Sequence, residues 1–534
     1  MDVRGKPVYP TRRNRMARSR SSSVTYLLAI AGVLLVAGSW WHATQPSRDL
    51  TIRTERAGDD RRVPVTHVSP AAVSSDQGIP GVLVAHGFGS SRRIMLGYAY
   101  RLAYAGYGVT LWDFQGHGGH PRPLGDTPGG LQEDVEAALG SLLARPEIDS
   151  GRIAIVGHSM GSGAAMEAGI RAPETYAAVV AVSPTGAGVT ADTPRNLLLQ
   201  AGSLELRFVA NAERLLAEAG GAAMSADAFA SGTARNREIV DGVEHITILF
   251  SEQSHSSVVE WLDRTFAIDR SGAGRSLDGS SRYTDRRWVT YAAHFAGWMM
   301  IGIALGPLVR SKLPRSGGRG RGGIPAIRAR WWVAGMLGGP FVATGVVAAA
   351  SAALSAAGVA FASVGGMLIA GAAAGWFLVH GSVWLAVGFR PSRPHARSVV
   401  AGVGIFAALW IAVGLMGQQL AFHWLLSPPR IVRWPVVALA SLPWLLAAGY
   451  VQSGSPIAQR VGVFLVQTLA ILAGLAVAGL NVAGLSALTL ILPALPLAFA
   501  AMAIGGGIVN DPWAYAIGNA LFFGWLLVAV FPLV

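Results

Sequence analysis

The sequence predicts two structural classes in one chain: an α/β domain built on a mostly parallel sheet, and behind it an all-α domain of membrane-spanning helices. Three observations lead there. The 534 residues are 52% hydrophobic and only 14% charged, a balance that places part of the chain in lipid. Between about Asp49 and Arg287 the composition is mixed, and short apolar runs alternate with helical patterns, as strands joined by crossover helices do. From Trp288 to Val534 the only acidic residue is Asp511 and the apolar runs lengthen.

In chain order, residues 1–23 form a basic tail. The apolar run Val24–Trp41, "VTYLLAIAGVLLVAGSWW", follows, long enough to cross a bilayer and closed by an interfacial tryptophan pair. A signal peptide is the alternative, but the long basic lead-in and the lack of a small-x-small cleavage site predict an uncleaved anchor. In the segment 49–287, "GVLVAHG", "YGVTLWDF", "RIAIVGHS", "YAAVVAVS", "NLLLQAG" and "HITILF" read as strands. "RRIMLGYAYRLAYAG", "GLQEDVEAALGSLLA" and "GSGAAMEAGIRA" read as the helices between them, which gives a mostly parallel sheet covered on both faces. Residues 288–534 hold eight further spans, near 289–309, 331–354, 359–389, 399–418, 435–451, 461–480, 485–504 and 514–533. No internal repeat is evident.

The net charge is +13, and its placement decides its meaning. Seven basic residues lie in the N-terminal twenty, seven in "RSKLPRSGGRGRGGIPAIRAR" and three in "RPSRPHAR", all flanking apolar spans. This is the pattern of membrane orientation and not of nucleic-acid binding, although "RSGGRGRGG" superficially resembles an Arg-Gly RNA-binding run. With the basic loops inside, segment 49–287 is expected on the extracytoplasmic side of the cell membrane. Arg430 and Arg433 then fall outside, where they fit least well. The absence of cysteine excludes disulfides, thiolate metal sites and cysteine nucleophiles. No Asp, Glu or Lys lies mid-span, which disfavours a pump, and the many small residues allow close helix packing. The expected role of this half is anchor or scaffold.

The chemistry centres on "IAIVGHSMGSGAAMEAG". Ser159 stands between Gly157 and Gly161 at a strand-to-helix corner, a turn too tight for flanking side chains, which would hold its hydroxyl exposed in a strained conformation. A serine hydroxyl needs a base, a carboxylate to orient the base, and donors for the oxyanion. In "VLVAHGFGSS" a glycine-flanked turn follows a strand, and the backbone N–H groups of Phe88 and Met160 would make a two-donor oxyanion hole.

These stretches resemble the α/β-hydrolase fold family. "DFQGHGGH" is similar to the family's Asp-x-x-Gly-His-Gly turn, "GHSMG" to its nucleophile elbow, and "SEQSHSSVVEWL" to its final-strand histidine followed by a helix. The resemblance covers roughly Thr66–Phe266 and nothing of the C-terminal half. It implies Ser159 as nucleophile, His255 as general base and, by "GSLE" after "LLLQA", Glu205 as the acid in place of the usual aspartate, with Glu213 as fallback. His245, at the start of "HITILF", is expected to be structural. His86, His117 and His120 sit in rim loops without a carboxylate at ligand spacing, so no metal is expected, and no organic cofactor is implied. Only about a dozen residues separate "AVSP" from "NLLLQAG", so no helical lid is expected.

The resemblance implies a serine hydrolase that cleaves an ester or amide through an acyl-enzyme, its substrate lipid, peptide or envelope ester, and the apolar spans place it in the membrane with the lipid bilayer as its other partner. An acyltransferase shares every catalytic part. A transport or assembly protein with an inactive hydrolase-like module is the rival from another class.

Overall fold

The computed structural model describes residues 12–60, 62–72, 78–127, 129–270, 283–312, 329–482, 484–486 and 488–534. The start of the basic tail and most of the 310–330 loop lie outside them.

Among the described residues eight strands form one sheet: β1 Leu50–Ala57, β2 Val63–Pro70, β3 Ile79–Ala85, β4 Gly108–Trp112, β5 Ile148–His158, β6 Tyr176–Val182, β7 Leu197–Gly202 and β8 Arg235–Val240. Their order is β1-β2-β4-β3-β5-β6-β7-β8. β1 and β2 run antiparallel to their neighbours, and every pairing from β4 to β8 is parallel. The central strands are continuous runs of Val, Ile, Leu and Ala buried on both faces, as a parallel sheet covered by helices requires.

One face packs against α2 Leu96–Tyr104, α6 Ala226–Ser231 and α7 Glu252–Thr265, the other against α3 Leu131–Leu143, α4 Met160–Arg171 and α5 Leu206–Glu218. Strand order, direction and layering are those of an α/β-hydrolase fold. No helix lies between β6 and β7.

The last strand differs from the sequence reading. "HITILF" is not a strand: Thr247–Phe250 is a single 3-10 turn whose Ile248 and Leu249 are buried beneath the sheet. The strand is instead "RNREIV", β8, whose polar residues are tolerated because it lies at the sheet edge, bonded to β7 alone.

The helical half comprises α1 Arg12–Thr44, α8 Arg287–Lys312, α9 Ala329–Ala356, α10 Ala370–Gly388, α11 Ala396–Leu409, α12 Met416–Leu420, α13 Pro428–Gln452, α14 Ile457–Asn481, α15 Leu488–Ile491, α16 Leu495–Val509 and α17 Pro512–Val530. A π-helical turn, Trp410–Leu415, joins α11 to α12. Among the described residues, eight of the resulting helices are long and apolar enough to cross a bilayer. α1 lies along α8, and a Cβ on Gly32 would come within 2.7 Å of the Gly297 carbonyl, the close approach that small residues permit.

The span expected at 485–504 is broken. A turn at Gly484, the short α15 and a 3-10 turn through Pro493 precede α16, which has only 15 residues. Gly484 adopts φ +80° and Pro493 cannot donate to a helix, so the chain cannot enter the bundle as one rod.

The two halves are joined by backbone pairing. Leu533 N–H donates to the Gly116 carbonyl (2.9 Å) and Leu124 N–H to the Leu533 carbonyl (2.7 Å). Arg287, at the head of α8, is clamped by Asp285 and donates to the Leu420, Arg93 and Ile94 carbonyls. Arg430, which fitted the charge pattern least, is 1% exposed and spent on this joint. The "RPSRPHAR" loop is at the other end of the bundle: Trp513 donates to the Ser392 carbonyl there, while Arg433 reaches Gly365 near the joint.

Candidate active site

Ser159 follows directly on β5 and is the last residue before α4, with φ 52° and ψ −119°. A non-glycine residue in that region costs about 1–3 kcal/mol and persists only where its surroundings enforce it. The two flanking glycines show how. A Cβ on Gly157 would lie 2.1 Å from the Gly161 carbonyl oxygen, and one on Gly161 2.6 Å from that of His86. The corner is closed from both sides by backbone, so neither position has room for a side chain.

The imidazole facing this serine is that of His245. Its Nε2 lies 3.1 Å from Ser159 Oγ and its Nδ1 2.7 Å from Glu205 Oε2. A carboxylate only accepts, so Nδ1 carries the proton and Nε2 presents its lone pair to the hydroxyl. Glu205 stands just past β7, almost buried, and its other oxygen accepts from the Gly202 N–H (2.8 Å) and the Ser183 hydroxyl (2.9 Å). The expected acid position is thus occupied by a glutamate held at three points.

Two aromatic rings fix the imidazole. Phe208 stacks on it at 4.5 Å between centroids, and His158, the residue before the serine, lies 4.7 Å away and donates from Nε2 to the His245 carbonyl (3.0 Å). Burial, reinforced by the neighbouring His245, pushes the His158 pKa well below the ordinary histidine value. It therefore remains a neutral, single-proton donor.

His255 is corrected by this geometry. It lies on α7, 1% exposed, donating from Nε2 to the Leu249 carbonyl (3.0 Å) with Tyr98 at 4.3 Å against its ring. Burial lowers its pKa to about 4, which makes it a neutral core histidine. The difference originates in the last strand: with the sheet ending at Val240, the loop histidine after the final strand is His245, and the Asp241–Gly242 turn after "RNREIV" is the sequence signal for that ending. Glu213, the fallback acid, instead pairs with Arg237 on the surface.

Met160 opens α4, so its N–H, beside the serine, is one of the first-turn donors with no intrahelical partner. The Gly87–Phe88 turn runs alongside: a Cβ on Gly87 would lie 3.2 Å from that of Ser159. Phe88 also packs against the core of the helical half.

His86, His117 and His120 are buried and engaged locally. His86 donates to the Gly87 carbonyl and accepts from Phe114 N–H; His117 bonds the Gln115 carbonyl; His120 faces Asp134. Among the described residues no group of three or more His, Cys, Asp or Glu could hold a metal ion.

Ser159 and His245 open into a cleft of about 1150 Å³. Phe88, Met160, Leu204, Leu206 and Phe208 supply apolar walls, and Ser486, Thr489 and Pro493 of the helical half line it as well. The broken span before α16 thus supplies part of the cleft wall.

Residues 80–226 match the family model described as Serine aminopeptidase, S33. An uncharacterized protein of Mycobacterium tuberculosis, found in two strains, is 36% identical over 106 residues, or 20% of this chain and 36% of the relative. The match therefore spans about a third of the length of those relatives. Among solved structures, a predicted CIB-like hydrolase from Thermoplasma acidophilum is 18% identical, with 40% of this chain and 98% of that one covered and a TM-score of 0.31. A hyperthermophilic esterase from the archaeon Pyrobaculum calidifontis is 15% identical, with 46% and 90% covered and a TM-score of 0.32.

Proposed function

We propose that the protein is a membrane-bound serine hydrolase that cleaves an ester or amide with Ser159 as nucleophile, His245 as general base and Glu205 as the acid. The observation that carries this reading is the unbroken relay from Ser159 Oγ through the His245 ring to Glu205, at 3.1 and 2.7 Å, on the floor of an open cleft. The match to a family described as serine aminopeptidase supports acyl transfer to water at such a serine.

In the reaction, Ser159 Oγ attacks the carbonyl carbon as its proton passes to His245 Nε2. The anionic Glu205 stabilises the imidazolium so formed, and the oxyanion is received by the N–H groups of Met160 and Phe88. His245 then gives the proton to the leaving alcohol or amine. Water, deprotonated by the same nitrogen, attacks the acyl-enzyme and releases the acid.

The basic "RPSRPHAR" loop at the end of the bundle remote from the α/β half supports an extracytoplasmic catalytic domain. A short-chain fluorophosphonate should label the full-length protein in detergent at Ser159, and Ser159→Ala should abolish labelling. Labelling that persists in that variant would remove the assignment.

A further inference from the structure

We propose that the substrate is an acyl amphiphile drawn from the bilayer, its acyl chain held between the α/β half and the loop joining α14 to α16. This rests on the serine hydrolase reading and adds the substrate class.

The cleft over Ser159 is built by both halves. On the α/β side, Leu204 and Leu206 bracket the acid Glu205 and are 65% and 79% exposed while lining the cleft. These two large aliphatic side chains face water there and not an apolar partner, an arrangement that burial against an acyl chain would relieve. On the other side, Ser486, Thr489 and Pro493 come from the broken span, so the cleft opens at the level where α14 and α16 leave the apolar bundle.

The helices on either side of this loop carry exposed leucines close to it, Leu480 at 78% and Leu497 at 71%, as lipid-facing surface does. An aliphatic chain leaving the lipid around α14 and α16 would remain on apolar surface until its carbonyl met Ser159. The volume, about 1150 Å³, exceeds the ~300–1,000 Å³ of ordinary small-molecule pockets, and Arg207 supplies a polar edge for a head group. Hydrolysis would break the acyl C–O bond, the alcohol leaving with the proton from His245 and water releasing the fatty acid.

The test uses the full-length protein in lipid nanodiscs, with fluorogenic esters of one alcohol running from acetyl to palmitoyl, and aminoacyl amides of the same fluorophore. The expected result is a kcat/KM that rises at least about tenfold from acetyl to palmitoyl, given ~0.8 kcal/mol per buried methylene. Ser486→Trp and Thr489→Trp, which narrow the wall, should each lower the palmitoyl-to-acetyl ratio by about tenfold, a loss of ~1.4 kcal/mol. Leu206→Asn, at an exposed position where folding is not at stake, should lower it in the same direction.

A preference for acetyl ester or for the aminoacyl amides overturns the inference, as does a long-chain preference that none of the three variants changes. In each of those cases phosphonate labelling of Ser159 would still stand for the hydrolase reading. Failure to label would overturn both together.

Discussion

The guanidinium of Arg430, in the first turn of α13, donates to the carbonyl of Gly116 in the α/β half across 2.6 Å. It also donates to the Phe531 carbonyl (2.7 Å) and to that of Val528. One buried cation thus ties the end of α17 to the loop that follows β4, beside the turn that carries Phe88. Arg430→Met should destabilise the joint by about 2–4 kcal/mol, since several charge-assisted hydrogen bonds lose their donor. Detergent melting curves would show it as a lowered Tm with reduced turnover; a wild-type curve would mean that the backbone pairing of Leu533 suffices alone.

His245 and His255 are separated by one experiment. His245→Ala should lower turnover by several orders of magnitude, as loss of a triad member does. His255→Asn should leave Ser159 labelling and the pH profile of turnover in place, because its ring is bonded to Leu249 and not to the serine. The reverse ranking would restore His255 as base and contradict the geometry.

Glu205→Gln keeps the shape and removes the charge that stabilises the imidazolium. Turnover should fall by up to about four powers of ten with little change in KM. Labelling of Ser159 should continue, more slowly. A near-native kcat would mean that Ser159 and His245 work as a dyad.

Acid should destabilise the α/β half through its buried histidines. His255 titrates near 4 when folded because of burial, against 6.5 in the unfolded chain. The unfolded state therefore binds the extra proton between those values. Stability is complete above pH 6.5 and declines as pH falls toward 4, by about 3 kcal/mol for this group. His86 and His158, also lowered by burial, act in the same direction. Urea unfolding followed at about pH 7 and about pH 5 should show the loss, with a shallower slope in His255→Asn; equal slopes would mean that the histidine is solvated.

Topology is open to labelling, since the chain has no cysteine of its own. Val364→Cys, on the joint side, should react with an impermeant maleimide in intact cells, and Ser392→Cys, in the basic loop, only after lysis. The opposite pattern would place the catalytic half in the cytoplasm.

The sequence by itself determined what depends on local pattern. The continuous apolar strands β3, β5 and β6, the Gly157–Ser159–Gly161 corner and the long apolar helices are legible because burial on both faces, a tight turn and a hydrocarbon environment each dictate composition residue by residue. Glu205 is singled out by the resemblance and not by local pattern; the structure places it just past β7. Tertiary structure decided the rest. An apolar run such as "HITILF" reads as strand or core turn alike, and only the pairing of β8 with β7 shows that the sheet ends earlier and brings His245 to Ser159. The break before α16 and the seat of Arg430 depend on contacts between halves distant in sequence. Hydropathy measures preference for lipid and carries no information about which loop closes over which cleft.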